Sequence, residues 1–157
     1  LVIDASAFSL MEKNKKMFIK LLKDHKGYTV LTPHLKEFKK IFNFSGDKIL
    51  DTILASKTTN SVVLLKGNDT VIASPDEKVF FNYFTSAYLA TAGSGDVLAG
   101  IIGGLLSQNF SAVSASTTGC FLHSKSAMDL NKPFSASDLI LQISETIKTY
   151  TKNKVNY

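Results

Sequence analysis

The sequence predicts an α/β protein with a mostly parallel sheet and helices packed on its faces. Three observations lead there. Short apolar runs alternate with amphipathic stretches through the first half of the chain. The last third is helical in pattern almost throughout. The apolar runs are continuous, as in strands buried on both faces.

Leu1–Ile3 is the first such run and ends at Asp4. Asn14–Asp24 reads as a helix, with Met17, Phe18, Leu21 and Leu22 on one stripe, lysines opposite and Gly27 to end it. Tyr28–Leu31 is a second strand, followed by Thr32-Pro33 as the entry to a helix over Leu35–Phe42. Lys48–Ala55 forms the next helix. Ser61–Lys66 is a strong strand, with Val62, Val63, Leu64 and Leu65 in a row. Gly67-Asn68-Asp69 is a turn, and Thr70–Ala73 pairs with Val79–Phe81 across Ser74-Pro75-Asp76 as a hairpin. Thr91–Asp96 is a loop of small residues, after which a helix runs from Asp96 or Val97 to about Leu106. Two more helices cover Ala112–Leu130 and about Ser137–Tyr150, the last capped by Ser135 or Ser137. Lys152–Tyr157 shows no pattern and is expected to fray.

The 157 residues suit one domain, and 45% hydrophobic with 20% charged residues is enough apolar material for a core. No linker, repeat or low-complexity stretch divides residues 1–157. The strand at the very start implies that elements preceding it belong to a longer polypeptide. The net charge of +5 comes from Lys without any Arg, a poor composition for reading nucleic acid and a suitable one for an anionic substrate. Cys120 is the only cysteine, so no disulfide framework or CxxC metal pair exists within the chain, and a reducing cytoplasm is expected. The longest apolar-plus-Gly run, Val97–Leu106, is far short of a membrane span.

The informative segment is Ala90-Thr91-Ala92-Gly93-Ser94-Gly95-Asp96-Val97-Leu98-Ala99-Gly100. It is a Gly-rich loop entering an apolar helix. Outward-pointing amides and the helix dipole make such a junction an anion site. Gly93 and Gly95 allow backbone to approach a ligand closely. Asp96 stands at the helix start, where the dipole favours a carboxylate able to accept a proton from an attacking hydroxyl. A plain capping role is the equal alternative on local sequence. The loop is not a P-loop or a dinucleotide fingerprint, and Ser94 lacks the His and Asp partners of a hydrolase nucleophile.

The run Leu89–Gln108, LATAGSGDVLAGIIGGLLSQ, resembles the NAD(P)H-hydrate dehydratases, members of the ribokinase-like superfamily that repair hydrated nicotinamide cofactors. Other segments agree in order. Asp4-Ala5-Ser6-Ala7-Phe8 resembles the family's DADAL strand end, and Leu31-Thr32-Pro33-His34 with Glu37 its LTPHPGE. Val63–Thr70 resembles VLKGxxT, Asn82 matches an Asn before the anion hole, and Gly119 with Leu122-His123 matches a later G-x-x-LH helix. The departures are Ser6 for the second acid of DADAL, Leu35-Lys36 for Pro-Gly, and the absence of an early G-P-G-x-G.

The resemblance implies a three-layer ribokinase-like fold, with part of it preceding Leu1. It also implies ADP- or ATP-dependent phosphorylation of the hydrate's hydroxyl, followed by loss of phosphate, with Mg2+ bridging the nucleotide. By the same resemblance Asp96 is the general base and contacts the hydrate, while the backbone of Ala92, Gly93, Ser94 and Gly95 forms the anion hole. Lys66, Gly67, Asn68, Asp69 and Thr70, with Gly95, bind the nucleotide, and His34 binds the hydrate. No metal ligand is identified. A homo-oligomer and a fused or paired epimerase domain are further implications. His25 reads as surface and His123, among small and apolar residues, as structural. Two alternatives stay open: another superfamily kinase, of thiazole or pyridoxal type, and a non-catalytic nucleotide-binding relative.

Overall fold

The computed structural model describes residues 1–152. Five strands form one sheet in the order β1 (Val2–Ile3), β2 (Val30–Leu31), β3 (Val62–Leu65), β4 (Thr70–Ala73), β5 (Val79–Asn82). β1, β2 and β3 pair in parallel, and β4 and β5 continue the sheet antiparallel. The sheet is therefore mixed rather than mostly parallel. The tight Gly67–Asp69 turn folds β4 directly back onto β3, and only a long crossover could have kept it parallel.

Side-chain alternation on two strands creates two cores. Leu31, Val63 and Leu65 face helices α1 (Ser6–Lys13), α2 (Lys15–Asp24), α3 (Leu35–Ile41) and α4 (Lys48–Thr59). Val30, Val62 and Leu64 face α5 (Ser94–Ser107) and α6 (Ala112–Leu130). The result is a three-layer sandwich. α7 (Ala136–Lys152) packs outside α5 and α6 through Leu139 and Ile143.

Several elements differ from the sequence expectation for identifiable reasons. α1 was not expected: only Phe8 and Met11 mark its apolar face, yet both are fully buried against the sheet. α2 stops at Asp24, before Gly27, and β2 is confined to Val30–Leu31. α4 continues past Ala55 to Thr59 although Ser56 and Thr59 are indifferent helix formers. Their buried hydroxyls are satisfied, Ser56 donating to the Ser61 carbonyl at 2.6 Å and Thr59 to the Ala55 carbonyl at 2.8 Å. α7 is capped by Ser135, whose hydroxyl accepts from the Asp138 amide. It ends at Lys152, and the expectation of fraying for 153–157 falls outside the described residues.

α5 and α6 approach closely at Gly119. A Cβ there would lie 2.9 Å from Ile102 Cγ1, and Ile102 is itself fully buried. Gly119→Val should therefore lower unfolding free energy by roughly 1–3 kcal/mol through overpacking. The check is a fall in the urea midpoint with the slope unchanged.

Candidate active site

Parallel pairing carries the carboxyl ends of β1, β2 and β3 to one edge of the sheet, where ligands of open α/β sheets bind. Asp4 follows β1, Thr32-Pro33-His34 follow β2, and Lys66 follows β3 and bridges to His34. His34 caps α3 reciprocally: its Nδ1 accepts from the Glu37 amide at 3.0 Å, and Glu37 Oε2 accepts from the His34 amide at 2.9 Å. Nδ1 being an acceptor assigns the proton to Nε2. Lys66 Nζ lies 2.7 Å from Asp4 Oδ1, and both side chains are largely buried.

The turn after β3 is fixed from two sides. Thr70 Oγ1 accepts from the Gly67 amide at 3.3 Å and donates to its carbonyl at 3.0 Å. Lys48, at the start of α4, donates to the Asp69 carbonyl at 2.5 Å and to Asp69 Oδ1 at 2.8 Å. That hydrogen bond holds the Asp69 carboxyl below its ordinary pKa. A Cβ on Gly67 would lie 2.7 Å from Lys48 Nζ, so a side chain there would have to displace the end of that lysine from Asp69.

The expected loop Thr91–Asp96 is shorter in the structure, because Ser94, Gly95 and Asp96 already form the first turn of α5. Gly93 is the N-cap, at φ 83°, a left-handed conformation that disfavours side chains. Val97 N–H donates to the Gly93 carbonyl, and Ser94 N–H to that of Thr91. The amides of Gly95 and Asp96 have no acceptor among the described residues. Two free donors at the positive end of the helix dipole suit an anion. The Ser94 hydroxyl donates to the Leu89 carbonyl at 2.6 Å, so it ties down the preceding turn and is no nucleophile.

These pieces wall a cavity of about 540 Å³. His34, Lys66, Gly67, Asn68 and Thr70 form the strand-end side, and Ser94, Gly95 and Leu98 the α5 side. Asn82, the stretch from Phe84 to Ala90, and Cys120, His123 and Ser124 of α6 complete it. Asp69 is turned out toward solvent and Lys48. Asp96 and Gly93 do not line this cavity. They lie on a second one of about 530 Å³, lined by Val97, Gly100, Ile101, Ala136, Ile140 and Ile143. The first turn of α5 thus separates the two spaces, because successive residues of a helix point in different directions.

The wall from Phe84 to Ala90 was not read from the sequence, and neither was the participation of Cys120, His123 and Ser124. Asn82 donates to Ser124 Oγ at 2.8 Å and to the Phe84 carbonyl at 3.1 Å, anchoring that segment to α6. Burial pushes the Cys120 thiol up to about 12, so it is inert lining. His123 is buried and places Nε2 at 2.8 Å from the Ser94 carbonyl. The carbonyl can only accept, so Nε2 carries the proton. Among the described residues no cluster of three or more His, Cys, Asp or Glu side chains could hold a metal ion. No described helix is long and apolar enough to cross a membrane.

The family model described as NAD(P)H-hydrate dehydratase matches residues 1–149. A bifunctional NAD(P)H-hydrate repair enzyme Nnr from Thermosynechococcus vestitus is 41% identical over 105 residues, covering 64% of this chain and 21% of that protein. The Bacillus subtilis ADP/ATP-dependent NAD(P)H-hydrate dehydratase, co-crystallized with ATP/Mg2+, superposes with a TM-score of 0.74 at 26% identity, over 81% of this chain and 50% of that one. A ribokinase-like superfamily protein from Enterococcus faecalis V583 gives a TM-score of 0.74 at 27% identity, over 98% and 52% respectively. The chain therefore spans about a fifth of the first relative and about half of the two solved structures.

Burial pushes the His123 pKa from the ordinary 6.5 down to about 4, helped by the nearby Lys66 charge and opposed by the bond to Ser94. The imidazole is neutral in the folded protein, whereas the unfolded chain takes up a proton below its ordinary pKa. Unfolding then binds protons, so stability rises with pH in that window. The contribution is complete above about pH 6.5 and is lost as pH falls toward 4. Urea unfolding across this range should show that decline, and His123→Gln should remove its share of the slope.

Proposed function

The chain belongs to the NAD(P)H-hydrate dehydratase family, and from that premise we propose that residues 1–157 form one domain carrying the nucleotide pocket and phosphate cradle of an ADP- or ATP-dependent NAD(P)H-hydrate dehydratase. The reaction proposed is phosphorylation of the hydrate's hydroxyl by the nucleotide, then elimination of phosphate to restore the reduced nicotinamide. The observation that carries the proposal is the division of space by α5: a cavity lined by Lys66, Gly67, Asn68 and Thr70 lies on one side, and Asp96 with a second cavity on the other.

A nucleoside di- or triphosphate in the first cavity would meet Lys66, the Gly67–Thr70 turn and the free amides of Gly95 and Asp96. Gly93, Ser94 and Gly95 shape the cradle for the transferring phosphoryl group, where preorganised donors stabilise developing charge. The hydrate would present its hydroxyl from the other side. Asp96 accepts the proton of its hydroxyl as the oxygen attacks phosphorus, and in-line geometry puts attacking and leaving oxygens on opposite sides of that group. His34 lines the first cavity beside Lys66, so the Nε2–H it would offer the hydrate lies on the nucleotide side of α5, and only the hydrate's hydroxyl would reach round to Asp96. Magnesium, when present, supplies charge neutralisation on the nucleotide's phosphates and is carried by them. Cytoplasmic location, a homo-oligomer and a fused or paired epimerase domain belong to the same proposal.

The test uses the full-length protein with NADH hydrate, magnesium and ADP or ATP. Absorbance of reduced nicotinamide should rise only with nucleotide. Asp96→Asn should cut the rate by roughly 10²–10⁴-fold, the usual contribution of a general base, with nucleotide affinity nearly unchanged. Undiminished turnover in that variant would remove Asp96 as the base. Nucleotide binding with no rise would favour another acceptor substrate.

A further inference from the structure

We propose that Asp4 is the positioning residue for the Lys66 ammonium, holding that cation against the first turn of α5 so that an arriving phosphate meets a fixed charge. The proposal rests on the functional reading above and goes beyond it in assigning Asp4.

The geometry carries it. Asp4 and Lys66 come from strands separated by β2, and they meet over the sheet edge at 2.7 Å. The Asp4 side chain is 11% exposed and that of Lys66 23%. Both press on one backbone position: a Cβ on Gly95 would lie 3.4 Å from Lys66 Nζ and 3.5 Å from Asp4 Oδ2. Lys66 lines the first cavity, and Gly95 contributes one of the two free amides.

Physical reasons make this more than an incidental ion pair. A lysine carries a long, rotamer-rich side chain, and fixing it costs entropy that a partner offsets before the ligand arrives. An unpaired carboxylate beside free helix amides would itself occupy the anion position. Bound to Lys66, Asp4 orders the cation and leaves those amides available. The backbone also invests in the placement. Ala5, immediately after Asp4, sits at φ 53° and ψ −123°, a conformation costly for any residue with a Cβ. That turn takes the chain from β1 into α1 within two residues, Asp4 and Ala5, and fixes where the Asp4 carboxylate starts.

The experiment is a binding cycle on the full-length protein, with ADP and adenosine titrated calorimetrically in the presence of magnesium. Asp4→Asn should weaken ADP binding roughly tenfold, in the range of coupling between touching groups, and leave adenosine unaffected. Lys66→Met should weaken ADP at least as much, and Asp4→Asn on top of Lys66→Met should add nothing. Additive losses, an equal loss for adenosine, or an unchanged ADP affinity in Asp4→Asn would each overturn the proposal. Should Asp4→Asn fail to fold, Asp4→Glu carries the same test: its lengthened carboxylate moves the cation, so ADP weakens selectively, and an unchanged ADP affinity overturns the idea. If the unaltered protein binds no ADP, the functional reading itself falls and this inference with it. ADP binding that is intact but insensitive to Asp4 removes only the inference.

Discussion

The parallel pairing of three short strands is the constraint on which the site depends. β1 and β2 hold only two residues each, yet their register with β3 sets Asp4, His34 and Lys66 side by side at one edge. Such short strands have few ladder hydrogen bonds of their own. Their position is maintained from both faces, by Phe8, Met11 and Phe38 on one side and by Leu98 and Ile102 on the other. Polar groups at the edge therefore inherit their precision from two apolar cores. A loss of packing in either core would be felt as a displacement of charge at the edge.

α5 converts that edge into a site. It approaches α6 closely because Gly119 presents no side chain to Ile102. One turn further along α6, His123 reaches the Ser94 carbonyl, while the Ser94 hydroxyl holds Leu89. The first turn is thereby restrained at its carbonyl and its side chain, and the free amides of Gly95 and Asp96 point from a rigid frame. Preorganisation of this kind is what makes dipoles effective in catalysis, since they need not reorient as charge develops.

Much of this was legible in the sequence, and the failures have physical causes. The strand β3, the hairpin and helices α5 and α6 follow from apolar runs and from Gly and Pro punctuation. The Gly93–Asp96 segment was legible as a Gly-rich entry into an apolar helix, and the structure makes Gly93 its N-cap. α1 was missed because Phe8 and Met11 alone do not make a stripe. The cavity wall from Phe84 to Ala90 has no sequence signature, since its mixed lining of Phe84, Thr85, Ser86, Ala87, Leu89 and Ala90 follows neither a strand nor a helix period. The Lys48 clamp on Asp69 joins residues 21 positions apart, one at the start of a helix and the other in a turn, and no local pattern announces it. Asp96 was read at the start of the helix, but sequence alone does not say which way the first turn points, and that hid the fact that Asp96 faces a different space from Lys66.

The electrostatic arrangement follows from the same packing. Around the first cavity the candidate cations are Lys66 and two imidazoles, and they are treated unequally. His123 is kept neutral by burial, and Nδ1 of His34 is committed as an acceptor to the Glu37 amide. Lys66 is the one lysine lining the cavity, joined by the partial charge of the α5 terminus. A site meant to hold an anion permanently would gather more charge than this. One that must release its phosphorylated products is better served by a single cation, a fixed dipole, and an acid that holds the cation in place before the phosphate arrives and after it leaves. In the arrangement proposed above Asp4 is that acid, standing at the end of a two-residue strand.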